Sequence, residues 1–275
     1  MMRAMSDYPD CETLLLRRQG WRLEMTLNRP ETRNALTHQM MQEIGAVVDR
    51  VADDETVRAL VLRGAGGHFS AGGDVNFMTD LPPPPAPGEV DPLVEPYRYF
   101  GDVLVKLNHL PQAVIALVEG NAVGGGFGMV CCSDVVIALE KATFGIPEAR
   151  LGFIPSQIIP FIVRRAGSAV IRRLAVTAQR LNGREALAHG IAHYCCETPD
   201  RAEAILADVL AEIGQCEPNA VATVKRLVLA AEDMPVETVL DDAAHSLVAL
   251  LRTPEAREGM AAFLEKRRPP WAGST

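Results

Sequence analysis

The sequence predicts an α/β fold in which strands come in pairs, each pair leads into a helix, and the last third of the chain is helical. Short apolar or alternating runs recur up to Leu139, three- and four-residue periodicities lie between them, and beyond residue 160 strand signals nearly vanish. The chain has 275 residues, 48% hydrophobic and 23% charged, which is enough for one main domain with a substantial core. We assign that core to residues 1–200 and a C-terminal helical region to residues 201–275.

Thr13 to Arg17 and the alternating Trp21, Leu23, Met25 and Leu27 read as a hairpin turning at Gln19-Gly20, after which Asn28-Arg29-Pro30 ends the sheet pattern. Thr37 can cap a helix whose apolar positions Met40, Met41, Ile44, Val47, Val48 and Val51 form one buried stripe. Val57 to Leu62 hardly alternates, as a strand covered on both faces would not, and it runs into Gly64-Ala65-Gly66-Gly67. Residues 81–96 contain seven prolines and few large apolar side chains, so they predict an irregular, mobile surface loop. A helix from Tyr97 to Leu110, a strand from Val114 to Val118, a glycine-rich turn at 124–128 and a strand from Val135 to Leu139 follow. In the last third, Asp200 with Glu203, Pro218, and Thr253-Pro254 mark three helix starts.

The formal charge of -8 argues against an electrostatic nucleic-acid or membrane binder, and no stretch reaches the roughly 18 apolar residues of a spanning helix. With no signal-like apolar run near Met1, the expectation is a cytoplasmic protein acting on a small molecule. The six cysteines include the adjacent pairs Cys131-Cys132 and Cys195-Cys196 but no zinc or redox C-x-x-C spacing, so they read as small buried apolar residues. His189 and His193 have helical metal-pair spacing, but Gly190 interrupts them and no carboxylate partner is placed, so no metal is expected.

Chemistry concentrates in two glycine-rich loops, His68 to Asp74 and Gly120 to Gly128, each following a buried strand. Neither has dinucleotide or phosphate-loop spacing, and the chain has no G-x-S-x-G elbow. A glycine run before the helical-looking Phe127 to Cys132 would instead aim free amides at a developing negative charge, which is half of an oxyanion hole. His68 beside the first loop needs no function to explain it, and Asp74 and Asp134 read as braces for the loops.

Five segments together resemble the enoyl-CoA hydratase/isomerase (crotonase) superfamily in order and spacing: Asn28-Arg29-Pro30 with Arg33-Asn34-Ala35-Leu36; Ser70-Ala71-Gly72-Gly73-Asp74; Gly124-Gly125-Gly126; Phe144-Gly145-Ile146-Pro147-Glu148; and the Phe263 to Trp271 tail. The resemblance implies a crotonase-like spiral of strand-strand-helix turns, a C-terminal region that packs on its own or a neighbouring subunit, and homotrimers or dimers of trimers. It implies an acyl-CoA substrate, with coenzyme A as part of that substrate and no permanently bound cofactor. By position, the amides of Gly73 and Gly125 would form the oxyanion hole and Glu148 would be the catalytic carboxylate. Arg33, Ala35, Ala71, Gly72, Gly124 and Lys266 would contact substrate or coenzyme A, with Arg33 and either Lys266 or Arg267 near its phosphates.

Two-glutamate hydratases of the family carry a second glutamate where this chain has Gly128. The texture around Gly124 to Gly128, Leu151 to Phe161 and the tail is most similar to the methylglutaconyl-CoA and isohexenylglutaconyl-CoA hydratase branch, which also has glycine there. The resemblance thus favours hydration of an enoyl-CoA, branched and of glutaconyl type, with Glu148 serving both half-reactions and water held partly by the substrate's own distal carboxylate. Two other readings stay open: an enoyl-CoA isomerase in which Glu148 shuttles one proton, and a non-catalytic scaffold that binds CoA thioesters.

Overall fold

The computed structural model describes residues 8–75, 79 and 81–273. Strands β1 (Leu14–Gln19) and β2 (Arg22–Leu27) form the antiparallel hairpin, closing at Gly20 with its positive φ of 57°. Strands β3 (Ala59–Gly64), β4 (Ala113–Val118), β6 (Val135–Leu139) and β9 (Tyr194–Cys196) add in parallel, giving the order β1-β2-β3-β4-β6-β9. A second sheet runs β5 (Asn121–Val123), β7 (Thr143–Gly145), β8 (Arg180–Asn182). Isolated parallel bridges Leu36 to Gly73 and Ser70 to Ala122 continue its direction into the two earlier loops. Each winding of the chain therefore gives one strand to the large sheet, one extended segment to the small one, and a helix.

The helices of the first three windings are α1 (His38–Ala52), α2 (Val94–Asn108) and α3 (Gly125–Cys131). Thr37 caps α1 by accepting from the Met40 amide, and Met40, Met41, Ile44, Val47, Val48 and Val51 are all buried. The large sheet is covered on both faces because alternate side chains enter separate clusters. Leu60, Leu62, Val114, Ala116 and Val136 face the helices of the windings, whereas Val61, Ile115, Leu117 and Ile137 face Ile205, Leu206 and Leu210. This is why the Val57 to Leu62 run shows no polar alternation.

Helices α4 (Ile159–Ala166), α5 (Ser168–Thr177) and α6 (Gly183–Ala188) lead to β9, and α7 (Pro199–Gln215) then packs across the sheet. Helices α8 (Pro218–Asp233), α9 (Val236–Leu251) and α10 (Pro254–Leu264) follow. Lys225 ties α8 to the sheet by donating to Asp134 at 2.7 Å and to the Gln112 carbonyl at 3.1 Å. Asp134 also accepts from the Val114 amide, the bracing role expected of it. No helix of the described residues is long and apolar enough to cross a membrane.

Four local expectations are corrected. The helix expected from Tyr97 starts at Val94, with Pro96 in its first turn, where a missing N–H costs nothing; the irregular stretch accordingly ends at Leu93. Gly125, Gly126 and Gly128 lie inside α3 rather than in a turn, and only Gly124 turns, with φ 53°. They are glycines because neighbours crowd the helix: a Cβ on Gly126 would lie 2.6 Å from Ser70 Cβ, and one on Gly125 2.8 Å from Leu36 Cδ1. The helix expected to open at Asp200 is capped two residues earlier, by Thr198 with Pro199 in the first turn, while the capping box belongs to Asn182 and Glu185 of α6. Lastly, β8 and β9 are three-residue strands past residue 160, held by their neighbours.

Candidate active site

The first loop of the site is held by Asn34, which is fully buried with φ 58°. Its side-chain oxygen accepts from the Arg29 amide at 2.9 Å, and its nitrogen donates to the carbonyls of Ala65 and His68 at 2.9 and 2.7 Å. Ser70 Oγ donates to the Asn34 carbonyl and accepts from the Gly72 amide. Arg29 completes the clamp, donating to the Ala35 carbonyl at 2.8 Å and to Asp74 at 3.1 Å. These contacts stitch the Asn28 to Leu36 segment to the Ser70 to Asp74 loop. Asn34 and Arg29 are the residues whose part the sequence did not disclose, since a motif gives their positions but not which groups they tie together.

The second loop meets the first at two glycines. Gly72, with φ 93°, sits so close that a Cβ would lie 3.0 Å from the Val123 carbonyl oxygen. A Cβ on Gly124 would lie 2.7 Å from Glu148 Oε1. The glycines thus bring both loops and the carboxylate to one place. The Leu36 to Gly73 bridge uses the Leu36 and Asp74 amides, leaving the Gly73 amide without an acceptor among the described residues. The Gly125 amide, in the first turn of α3, also has none among them.

Glu148 opens a short 3₁₀ turn, Glu148–Leu151, and is 8% exposed. Its Oε2 is buried with no hydrogen-bond partner among the described residues. Burial pushes its carboxyl above the ordinary carboxylate range, with a small opposing effect from its own backbone. An orphaned, desolvated carboxylate of this kind is suited to taking and returning a proton.

Around these groups lies a cavity of about 500 Å³. Ala71, Gly72, Gly73, Gly124, Gly125 and Glu148 line it, together with an apolar wall that includes Met41, Phe100, Phe153, Ile154 and Ile158. Its titratable lining groups among the described residues are His38, Asp74, Tyr97 and Glu148. Six of the nine residues singled out from the sequence are therefore brought together at one cavity. Arg33, Ala35 and Lys266 are not part of that lining. Arg33 is exposed at the end of a 3₁₀ turn with φ 54°, the Ala35 carbonyl is taken up by Arg29, and Lys266 is exposed on the C-terminal tail. That tail is anchored elsewhere, with Arg58 donating to the Trp271 carbonyl and Trp271 to the Gln215 carbonyl.

The three other histidines weighed in the sequence have structural surroundings. His68 Nδ1 accepts from the Asn121 amide, His193 Nδ1 from the Val136 amide, and His189 lies against Arg173. No grouping of metal-ligating side chains occurs among the described residues.

At Gly128, where a second carboxylate would stand, a Cβ would overlap Ile158 Cγ2 and lie 3.6 Å from Leu104 Cδ1. Ile158 is 2% exposed and part of the main core. The place of the missing carboxylate is thus filled by an apolar side chain.

Comparison with known proteins agrees with this geometry. The family model described as enoyl-CoA hydratase/isomerase matches residues 20–274. A protein named carnitinyl-CoA dehydratase from Escherichia coli K12 is 32% identical over 272 residues, 95% of this chain and 99% of its own. The solved structure of Pseudomonas aeruginosa AtuE superposes with a TM-score of 0.91 at 46% identity, covering 95% of this chain and all of the other. An enoyl-CoA hydratase/isomerase from Marinobacter aquaeolei gives a TM-score of 0.90 at 41% identity, covering 96% of this chain and all of the other. The doubled glycine loops around a buried glutamate and these matches along nearly the whole chain lead to one conclusion: the protein belongs to the enoyl-CoA hydratase/isomerase, or crotonase, family.

Proposed function

We propose that the protein is an enoyl-CoA hydratase that adds water across the α,β double bond of an acyl-CoA thioester, with Glu148 as its single catalytic carboxylate. The observation that carries this reading is the buried, unpartnered Glu148 Oε2 in the cavity that also holds Gly73 and Gly125. The Gly73 and Gly125 amides take the thioester oxygen as it gains negative charge, and each such donor is worth about 10² to 10³ in rate. Glu148 takes a proton from water while the hydroxyl oxygen bonds to Cβ and the π electrons move into the enolate. The acid so formed returns the proton to Cα and the thioester carbonyl re-forms. A carboxylate with a raised pKa serves both steps because it is the stronger base and yields its proton at neutral pH.

The substrate proposed is a branched enoyl-CoA of glutaconyl type. The apolar wall of Met41, Phe100, Phe153, Ile154 and Ile158 supports a branched acyl group. The carnitinyl-CoA dehydratase relatives support a water-adding or water-removing reaction over double-bond migration. The terminal helices support self-association into trimers or dimers of trimers: α8 and α9 have no fully buried residue, yet Val224, Val228, Leu240, Leu247 and Leu251 are exposed apolar side chains. In such an assembly a neighbour's tail supplies the cations, Lys266 among them, that the cavity wall lacks among the described residues.

A panel of enoyl-CoA thioesters, straight, methyl-branched and glutaconyl, assayed for loss of the conjugated thioester absorbance tests the assignment. Turnover is expected to be fastest with the branched glutaconyl thioester. Absence of hydration across the panel, with migration of a β,γ double bond instead, would make the protein an isomerase.

A further inference from the structure

Resting on the hydratase reading, the cavity poses a chemical problem. Water must be held over Cβ as well as deprotonated, and Ile158 fills the place from which a second carboxylate would do this.

Among the described residues, the polar lining side chains other than Glu148 are few: Thr37, His38, Asp74, Tyr97, Ser156 and Gln157. Thr37 Oγ1 is used to cap α1, His38 leans on the Tyr99 ring at 5.9 Å, and Asp74 is paired with Arg29. Ser156 is exposed. Gln157 is half-buried, directly precedes Ile158, and has no hydrogen-bond partner for its amide among the described residues.

Its placement comes from Gly101. A Cβ there would overlap Gln157 Oε1 and would also lie 2.8 Å from Arg98 Nη1, so the missing side chain makes the recess into which the amide folds. Gly101 is flanked by Phe100, whose ring would lie 3.0 Å from a Cβ on Gly125, and stands three residues before Leu104, which faces Gly128. The Gln157 amide therefore lies against α2 at Gly101, on the lining of the same cavity as Gly125 and Glu148.

We propose that Gln157 holds the attacking water. Its Oε1 accepts one water O–H, the other O–H points to Glu148 Oε2, and a water lone pair faces Cβ. A neutral amide cannot take the proton, so one carboxylate performs the acid-base work and the amide performs the positioning that a second carboxylate performs elsewhere.

Two activities of the same site separate this role from a merely structural one. Hydration of the enoyl-CoA needs the water, whereas exchange of the Cα hydrogen of the saturated acyl-CoA with solvent deuterium needs only Glu148 and the oxyanion hole. In Gln157→Ala, hydration kcat is expected to fall about 10²-fold, the cost of a misplaced reactant, while Cα exchange stays within about twofold. Gln157→Glu, which can still accept from water, is expected to recover hydration. Tyr97→Phe removes the rival hydroxyl and is expected not to separate the two activities. Equal loss of both activities in Gln157→Ala, unchanged hydration in that variant, or uncoupling by Tyr97→Phe instead would overturn the proposal. Wild-type protein that exchanges Cα hydrogen but never hydrates would remove the hydratase reading itself, and the role of Gln157 with it.

Discussion

At the scale of single residues, the account turns on a carboxylate made basic by burial. Because the pKa of Glu148 is raised, kcat/KM for hydration should fall on the acid side with a midpoint above the ordinary carboxylate range, a profile that a pH series resolves. The same shift sets a stability trend. The folded state holds this proton more tightly than the unfolded state does, so the contribution is fully present below the unfolded pKa and is lost as pH rises through the folded pKa. Glu148→Gln, which cannot ionise, should therefore be at least as stable as wild type at neutral pH in urea unfolding. A clear loss of stability there would mean that the carboxylate is paired in a way this structure does not show. The meeting of Glu148, Gly73 and Gly125 at one cavity was legible because the family motifs put them on loops after buried strands. Arg33, Ala35 and Lys266 come from the same motifs and lie outside the cavity lining; a motif gives their positions but not the direction of a side chain such as Arg33 or the course of the tail that carries Lys266. The part of Ile158 over Gly128 was not legible at all: it depends on contact between residues thirty positions apart.

At the scale of elements, α3 shows how close packing rather than flexibility sets a glycine. Gly126 faces Ser70, which is fully buried and bonded to both Asn34 and Gly72. Gly126→Ala should cost about 1–3 kcal/mol by overpacking and should slow turnover by displacing the Gly72 loop. Equilibrium denaturation with a parallel assay checks both, and wild-type stability with wild-type rate would show that the two segments give way freely. The helical start of α3 was misplaced from sequence because glycine has low helix propensity, and only tertiary contact overrides it. The hairpin and α1 were read correctly because each repeats one strong period over its length, and β3 because an unbroken apolar run marks a strand covered on both faces. Strands β8 and β9 were missed because three residues are too few to express any period.

At the scale of the whole molecule, the windings place successive loops above one another so that the ends of two of them, and a turn from a third, form one wall of a cavity. That stacking was foreseeable only through the family resemblance, since composition and periodicity yield strands and helices but not their winding. The terminal helices extend the argument beyond one chain. Sedimentation velocity should find the protein as trimers or multiples of three at micromolar concentration; a monomer with full activity would show that the exposed apolar faces of α8 and α9 serve something else. The central claim is that one buried carboxylate adds water to the thioester. It is tested most directly by mass spectrometry of a branched glutaconyl-CoA after incubation in ¹⁸O-labelled water with wild type and with Glu148→Gln. We expect the wild-type product to gain one labelled water and the variant to lose activity by about 10² to 10⁴. Double-bond migration without oxygen uptake, or full hydration by the variant, would contradict the account.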